Sequence, residues 1–303
     1  MKKVLLIGYG SIGKRHAELF KSQSAKVGLV SSQTGTPFET FSNVKEAVEN
    51  FSPDIVLITN ETSKHFQSLT DLVAARFTES VFVEKPIFEE PVELDHHFKN
   101  IFVLYNLRMS PLLLSLKEKL KDQKIISANV YCGQYLPTWR PGRDYKETYS
   151  AKKELGGGVI RDLSHELDYT TWLTGRFEFV SALGGHFSNL EIASDDVFHL
   201  IGKCTNAASV NITVNYLDRS PTRKIIINTN DHTYNLDLIK GELIEDSTVI
   251  LTGVKAVNTY LSQVENILNN TFENFCTYEH AMNTLLLIKA AESSSAEGKV
   301  IKL

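Results

Sequence analysis

The chain has 303 residues, 42% of them hydrophobic and 22% charged, the balance of a folded protein with apolar material for more than one core. With 32 Lys and Arg against 36 Asp and Glu its net charge is −4, which argues against nucleic acid as a partner because phosphate neutralisation needs a basic face. No apolar run approaches the ~18 residues of a membrane span, so no membrane partner is expected.

The opening MKKVLLI is too short for a signal-peptide core, and Lys3–Ile7 reads as a strand. Ser11–Ser22 follows as a helix with an apolar face at Ile12, Ala17, Leu19 and Phe20, then Lys26–Val30 as a second strand. Residues 44–50 suit a helix, 54–59 a third strand, 65–75 a helix and Ser80–Val83 a fourth strand. A short helix is expected near Pro91 and a fifth strand at 101–105. Continuous apolar strands spaced by helices indicate a parallel sheet covered on both faces.

Beyond a helix at Pro111–Leu120 the texture changes. A strand at 125–134 and a helix over 158–173 precede strands near 180–187, 197–203, 208–216, 224–228, 233–238 and 242–244. Strands in succession with short turns mean a largely antiparallel sheet. Residues 261–296 read as helix again. The fold class is therefore α/β: an N-terminal Rossmann doubly wound sheet over 1–118, then an α+β domain with a largely antiparallel open sheet over 119–303. The C-terminal helix is expected to pack back on the first domain. Cys132, Cys204 and Cys276 are far apart, odd in number and in no metal spacing. They read as ordinary thiols of a reducing cytoplasm, and no metal is expected.

Gly8-Tyr9-Gly10-Ser11-Ile12-Gly13 closes the first strand and opens the first helix. In that context Gly8 permits the tight turn, Gly10 admits a pyrophosphate to the backbone, and Gly13 lets helix and strand pack closely. The pyrophosphate would rest on the helix N-terminal amides. About 20 residues on, an acid would accept from the ribose hydroxyls of NAD. Here the second strand ends in Ser31-Ser32 with no acid, and no Arg follows to seal a 2′-phosphate site. The cofactor is NAD or NADP, with a lean to NADP.

Glu84-Lys85-Pro86 follows the fourth strand. A Lys in the crevice at a strand's carboxyl end is placed for proton transfer; alone it also reads as a solvated surface lysine. Gly156-Gly157-Gly158 leads into a segment carrying Asp162 and His165, three apart and so on one helix face. By itself that pair reads as an ordinary cap and a satisfied buried histidine. Trp139, Arg140 and Tyr145 offer a stacking face and a cation for a polar ligand, or an ordered loop held by its own packing.

Taken together, the glycine loop, Glu84-Lys85-Pro86 and the Gly-rich lead into the Asp162/His165 helix resemble the Gfo/Idh/MocA oxidoreductase family over essentially the whole chain. Thr59 and His65 match a further stretch, in which Asn60 stands where the family more usually has Pro, and Asn106 and Arg108 match another. The resemblance implies NAD(P)-dependent hydride transfer between the nicotinamide and a hydroxyl or ketone carbon of a sugar-like substrate. It implies Lys85 and His165 for the proton, with Asp162 beside them, and a cis Lys85–Pro86 bond. For the cofactor it implies Gly8, Gly10, Ser11, Ile12, Gly13, Ser31, Ser32, Thr59, Asn60, His65, Glu84 and Lys85. For the substrate it implies Asn106, Arg108, Trp139, Arg140 and Tyr145. A homodimer or homotetramer built through the open sheet is also implied. The run up to Leu173 looks like a subgroup linked to bacterial surface-sugar biosynthesis. The family commonly spaces its Asp four residues before the His; the shorter spacing here puts the role of Asp162 in question. A non-catalytic dinucleotide- or sugar-binding regulator of the same fold, or a reductase of a non-sugar substrate, stays open as an alternative.

Overall fold

The computed structural model describes residues 1–254 and 258–303. The first elements are β1 (Lys3–Ile7), α1 (Ser11–Ser22), β2 (Lys26–Val30), β3 (Glu39–Phe41), α2 (Val44–Phe51), β4 (Ile55–Ile58), α3 (His65–Ala74), β5 (Ser80–Val83) and β6 (Asn100–Val103). There follow α4 (Pro111–Leu120), β7 (Ile125–Gly133), α5 (Val159–Asp162), α6 (Ser164–Thr174), β8 (Phe177–Gly185), β9 (Val197–Cys204) and β10 (Ala207–Asn215). The chain continues through β11 (Thr222–Thr229), β12 (Thr233–Asp237), β13 (Glu242–Glu245) and β14 (Thr248–Leu251). It closes with α7 (Thr259–Asn269), β15 (Cys276–Thr277), α8 (Tyr278–Glu297) and β16 (Ile301–Lys302). Two compact units result, Met1–Met109 with Asn258–Met282, and Ser110–Val257 with Asn283–Leu303. The first break thus falls ahead of α4, where composition suggests residue 118. Among the described residues no helix is long and apolar enough to cross a membrane.

In the first unit the strand order is β15-β6-β5-β4-β1-β2-β3. Neighbours are parallel throughout except β15, which runs antiparallel to β6. The VLLI, IVLI and SVFV runs are buried because helices cover a parallel sheet on both faces. Helix α1 turns Gly13, His16, Ala17 and Phe20 inward at i, i+3, i+4 and i+7. Asn43 caps α2 by accepting from the Glu46 amide, and the Glu46 carboxylate accepts from the Ser42 amide in return. Strand order reverses between β4 and β2 on either side of β1, which makes the carboxyl ends of β1 and β4 the switch point.

The second unit is a nine-stranded sheet ordered β14-β13-β12-β11-β7-β10-β9-β8-β16. Only β7 and β10 pair in parallel. Helices α5 and α6 pack against β7, β9 and β10, and α4 against β12 and β13. Buried alternates such as Ile225, Ile227, Phe198 and Leu200 face them, whereas Ile226 and Ile201 are 38% and 53% exposed. On that bare face Ile226, Asn129, Asn211 and Ile201 form one row across four strands. An ion pair between Glu166 and Arg223 (2.8 Å), with the Tyr169 hydroxyl on the same carboxylate, ties α6 to β11. The neighbouring Cys132 thiol is pushed up by burial first and by the Glu166 charge second.

The far edge, β8, is closed by the chain's own end. β16 pairs with Val180, the Leu303 amide donates to the Glu178 carbonyl, and the Ser294 hydroxyl accepts from the Ala182 amide. The Ser295 hydroxyl both accepts from and donates to the backbone of Gly184.

Several expectations need correcting. No helix forms near Pro91: Val92 and Leu94 are half-buried in alternation with exposed neighbours, a period-two pattern that suits extended chain. The helix expected over 158–173 is broken at Leu163 (φ −92°, ψ 31°). The helix expected over 261–296 is two helices, because Asn270 ends α7 in the left-handed region and Cys276–Thr277 extends to pair with β6. Strands β3, β14, β15 and β16 are short pieces whose partners, not their sequences, make them strands.

Candidate active site

In the first unit the glycines act as their spacing suggests. A Cβ on Gly8 (φ +104°) would meet the Asn60 backbone at 2.6 Å, and one on Gly13 would meet the Gly8 carbonyl at 2.5 Å. A Cβ on Gly10 would enter open space. Two glycines therefore seat the turn against β4 and α1, and the third leaves its backbone bare. Helix α1 begins there with no side-chain cap and no acid in its first turn. The N-terminal turn, with Ser11 and Ile12, thus keeps its partial positive charge for an anion. These residues fit a dinucleotide pyrophosphate.

Around the loop the expected partners assemble. The Thr59 hydroxyl donates to the Gly8 carbonyl at 2.8 Å. The Asn60 carboxamide donates to the Ser68 hydroxyl at 2.9 Å. His65 is buried; its Nδ1 lies 3.1 Å from the carbonyl oxygens of Pro86 and Ile87, and its Nε2 lies 3.2 Å from that of Asn60. Burial holds this imidazole below its ordinary value, against the carbonyls and the Glu84 charge, which favour protonation. His65 thus staples the Asn60 loop to the Glu84-Lys85-Pro86 turn. Glu84 leaves β5 with its amide donating to Ile58 (2.9 Å), and half-buried Lys85 follows, with its bond to Pro86 cis.

At the end of β2, Ser31 is half-buried and Ser32 exposed. The Ser31 hydroxyl accepts from the Gln33 amide (3.1 Å), and the Gln33 carboxamide donates to the Tyr9 carbonyl (2.9 Å). Gln33 is a link that sequence reasoning missed. Lys14 lies over the Tyr9 ring at 5.4 Å. Asn106 and Arg108 are buried in the packing of β6, α7 and β15. Asn106 donates to the Thr259 hydroxyl (2.6 Å) and Arg108 to the Phe275 carbonyl (3.3 Å).

In the second unit the triple glycine makes room for protein. A Cβ on Gly157 would strike the Tyr149 carbonyl at 2.0 Å, and one on Gly158 (φ +131°) the Asp195 carboxylate at 2.3 Å. That carboxylate accepts from the Ile160 amide at the start of α5. At the end of α5, Asp162 is 7% exposed and accepts from the buried Tyr216 hydroxyl. The Tyr149 hydroxyl bonds to the same carboxylate. His165 lies half-buried on the first turn of α6. Because the helix resets at Leu163 between them, their spacing no longer fixes a shared face. Arg140 covers the Tyr149 ring at 5.3 Å, and Trp139 packs edge-on to Tyr216 at 5.2 Å. The Tyr145 hydroxyl accepts from the Glu191 amide. The Trp139 indole nitrogen is buried with no partner among the described residues.

Two family models match the chain, an oxidoreductase family with an NAD-binding Rossmann fold over residues 2–101 and a GFO/IDH/MocA C-terminal domain over 117–235. No curated protein matches it in sequence. Among solved structures, an NAD binding oxidoreductase from Klebsiella pneumoniae superposes with a TM-score of 0.82 at 15% identity, over 99% of this chain and 98% of that one. The WlbA dehydrogenase from Bordetella pertussis, in complex with NADH and UDP-GlcNAcA, gives 0.78 at 19% identity over 99% and 98%. Levoglucosan dehydrogenase, in complex with NADH and L-sorbose, gives 0.82 at 14% identity over 100% and 98%. With its Rossmann unit, its nine-stranded second unit and these matches, the chain belongs to the Gfo/Idh/MocA family and is an NAD-dependent oxidoreductase.

Proposed function

We propose that the enzyme interconverts a hydroxyl and a ketone on a sugar or sugar derivative, with Lys85 carrying the proton. The observation that carries this reading is the placement of Lys85. It follows β5 directly, on a turn that His65 staples to the loop beyond β4 and hence to the switch point. When bound, the nicotinamide supplies or accepts the hydride. The chain's own part is to orient the cofactor through the Gly10 backbone and the α1 amides, and to move one proton. Lys85 gives that proton to, or takes it from, the reacting oxygen. His165 hydrogen-bonds the same oxygen or shares the proton, and the Trp139–Tyr145 segment holds the sugar, with Arg140 available for an anionic group. Asn106 and Arg108 support the site from inside the first unit. The sugars bound by WlbA and by levoglucosan dehydrogenase support the substrate class.

The acid-free Ser31-Ser32 end of β2 supports use of NADP alongside NAD. The bare face of the nine-stranded sheet supports a homodimer or homotetramer. Three free, buried thiols support a reducing, cytoplasmic setting.

The test is Lys85→Met, which keeps the apolar stem and removes the amine. Levoglucosan, L-sorbose and UDP-GlcNAcA serve as first probes, with turnover followed by NADH absorbance. The variant should lose about 10²–10⁴-fold in rate while binding NADH as the parent does. If it keeps more than about a tenth of the rate, below the range expected for a general acid–base, Lys85 is not the proton carrier.

A further inference from the structure

The resemblance assigns Glu84 to the cofactor, but the structure spends its carboxylate inside the protein. Glu84 is 9% exposed. Its Oε1 lies 2.8 Å from His16 Nε2, and its Oε2 accepts the Lys85 amide at 3.2 Å. His16 is fully buried on the inner face of α1, three residues after the last glycine of the loop. A carboxylate can only accept, and His16 Nδ1 has no partner among the described residues. The ring hydrogen therefore sits on Nε2, where it donates to Glu84. Tyr260 closes the other side of the imidazole, edge-on at 5.7 Å, with the Arg15 guanidinium 4.8 Å over its ring. Burial first, then the Glu84 charge, pushes the Tyr260 hydroxyl up. A buried ring so enclosed has one polar task, and that is to hold the carboxylate in one orientation.

We propose that Glu84, oriented by His16, is a positioning residue that fixes the backbone at Lys85 and so aims its ammonium. The inference rests on the reading that Lys85 moves the proton. It assigns His16–Glu84 as the link from the helix of the pyrophosphate loop to the lysine. The turn is then pinned at three points: the Glu84 amide on Ile58, the Lys85 amide on the Glu84 carboxylate, and the carbonyls of Pro86 and Ile87 at His65. Freed at the middle point, Lys85 would sample other orientations while the glycine loop and its amides stayed in place.

The test reads the lysine itself. Lysines are reductively methylated with ¹³C-formaldehyde, and the Lys85 resonance is identified by its loss in Lys85→Met. In the parent it should stand apart from the bulk lysine signal. In His16→Ala and Glu84→Ala it should fall back towards bulk, with NADH affinity by fluorescence within about threefold of the parent. His16→Gln, whose carboxamide nitrogen replaces Nε2 as donor, should restore the shifted resonance, which loss of packing alone would not predict. If His16→Ala fails to fold, Glu84→Asp, one methylene shorter, carries the test and should move the resonance in the same direction. A parent Lys85 signal at the bulk position, or one unmoved in both Glu84→Ala and Glu84→Asp, overturns the proposal. So does a loss of NADH affinity beyond about tenfold in Glu84→Ala, which would return Glu84 to the cofactor. The outcome is separate from the turnover of Lys85→Met, so failure of the positioning and failure of the catalytic reading are told apart.

Discussion

Tyr216 donates its buried hydroxyl to the Asp162 carboxylate across 2.6 Å, joining the end of β10 to the short helix ahead of His165. Burial first, then the charge of Asp162, lifts the hydroxyls of both Tyr216 and Tyr149 above their ordinary value. Each stays a donor across the working pH range. Asp162 is held as an acceptor by two phenols, one buried and one on the loop that carries Trp139 and Arg140. Tyr216→Phe removes one donor from a buried carboxylate and should destabilise the fold by about 1–3 kcal/mol. Asp162→Asn keeps an acceptor for Tyr216 and should reduce turnover less than His165→Asn does. Urea denaturation and initial rates check both; an unchanged midpoint in Tyr216→Phe would mean the bond adds nothing.

Asp195 makes stability depend on pH in an uncommon direction. Burial raises its carboxyl from 3.8 to about 6, against the amide bond from Ile160. Between those values the unfolded chain releases a proton that the folded chain keeps, so stability falls as pH rises. The full penalty, at most about 3 kcal/mol, is reached above the folded value. Asp195→Asn should flatten the denaturation midpoint between about pH 4 and 7 and raise it at the upper end. A steeper profile in the variant would refute the assignment.

At the adenosine end, an acid-free strand terminus should accept a 2′-phosphate. Fluorescence titration should show NADP bound at least as well as NAD. A tenfold preference for NAD, about 1.4 kcal/mol, would mean that Ser31, Ser32 and Gln33 only close the strand.

Association should proceed through the bare face of the second unit's sheet. Light scattering at micromolar concentration should give a multiple of 34.0 kDa. Ile201→Lys, at a site 53% exposed in the Ile226–Ile201 row, should shift the particle towards the single chain. A parent protein running as one chain would leave this face without a partner copy.

The buried parallel strands of the first unit were legible from sequence, since strands buried on both faces are continuous apolar runs, whereas β3, β15 and the extended chain around Pro91 were not. His16 also carried a local mark. A histidine on the i, i+3, i+4, i+7 inner face of α1 has to find a buried partner. Tyr216, Asp195 and Arg223 left no local mark, because their partners at Asp162, Ile160 and Glu166 lie 35 to 57 positions away. The triple glycine admits close approach of other groups, but only the structure shows that what approaches is the Tyr149 carbonyl and Asp195.

The serines of α8 carry a last consequence. Along the outer side of β8 the groups able to pair with another strand recur at Glu178, Val180, Ala182 and Gly184. Leu303, Ile301, Ser294 and Ser295 meet them in turn. A long sheet with such a side left open would be a template on which further chains could polymerise. Here the template is used up within the chain, by the short strand β16, the Leu303 amide and two hydroxyls. Ser294→Ala with Ser295→Ala would expose part of it again, leaving fibre growth rather than ordered assembly as the hazard of losing two small side chains.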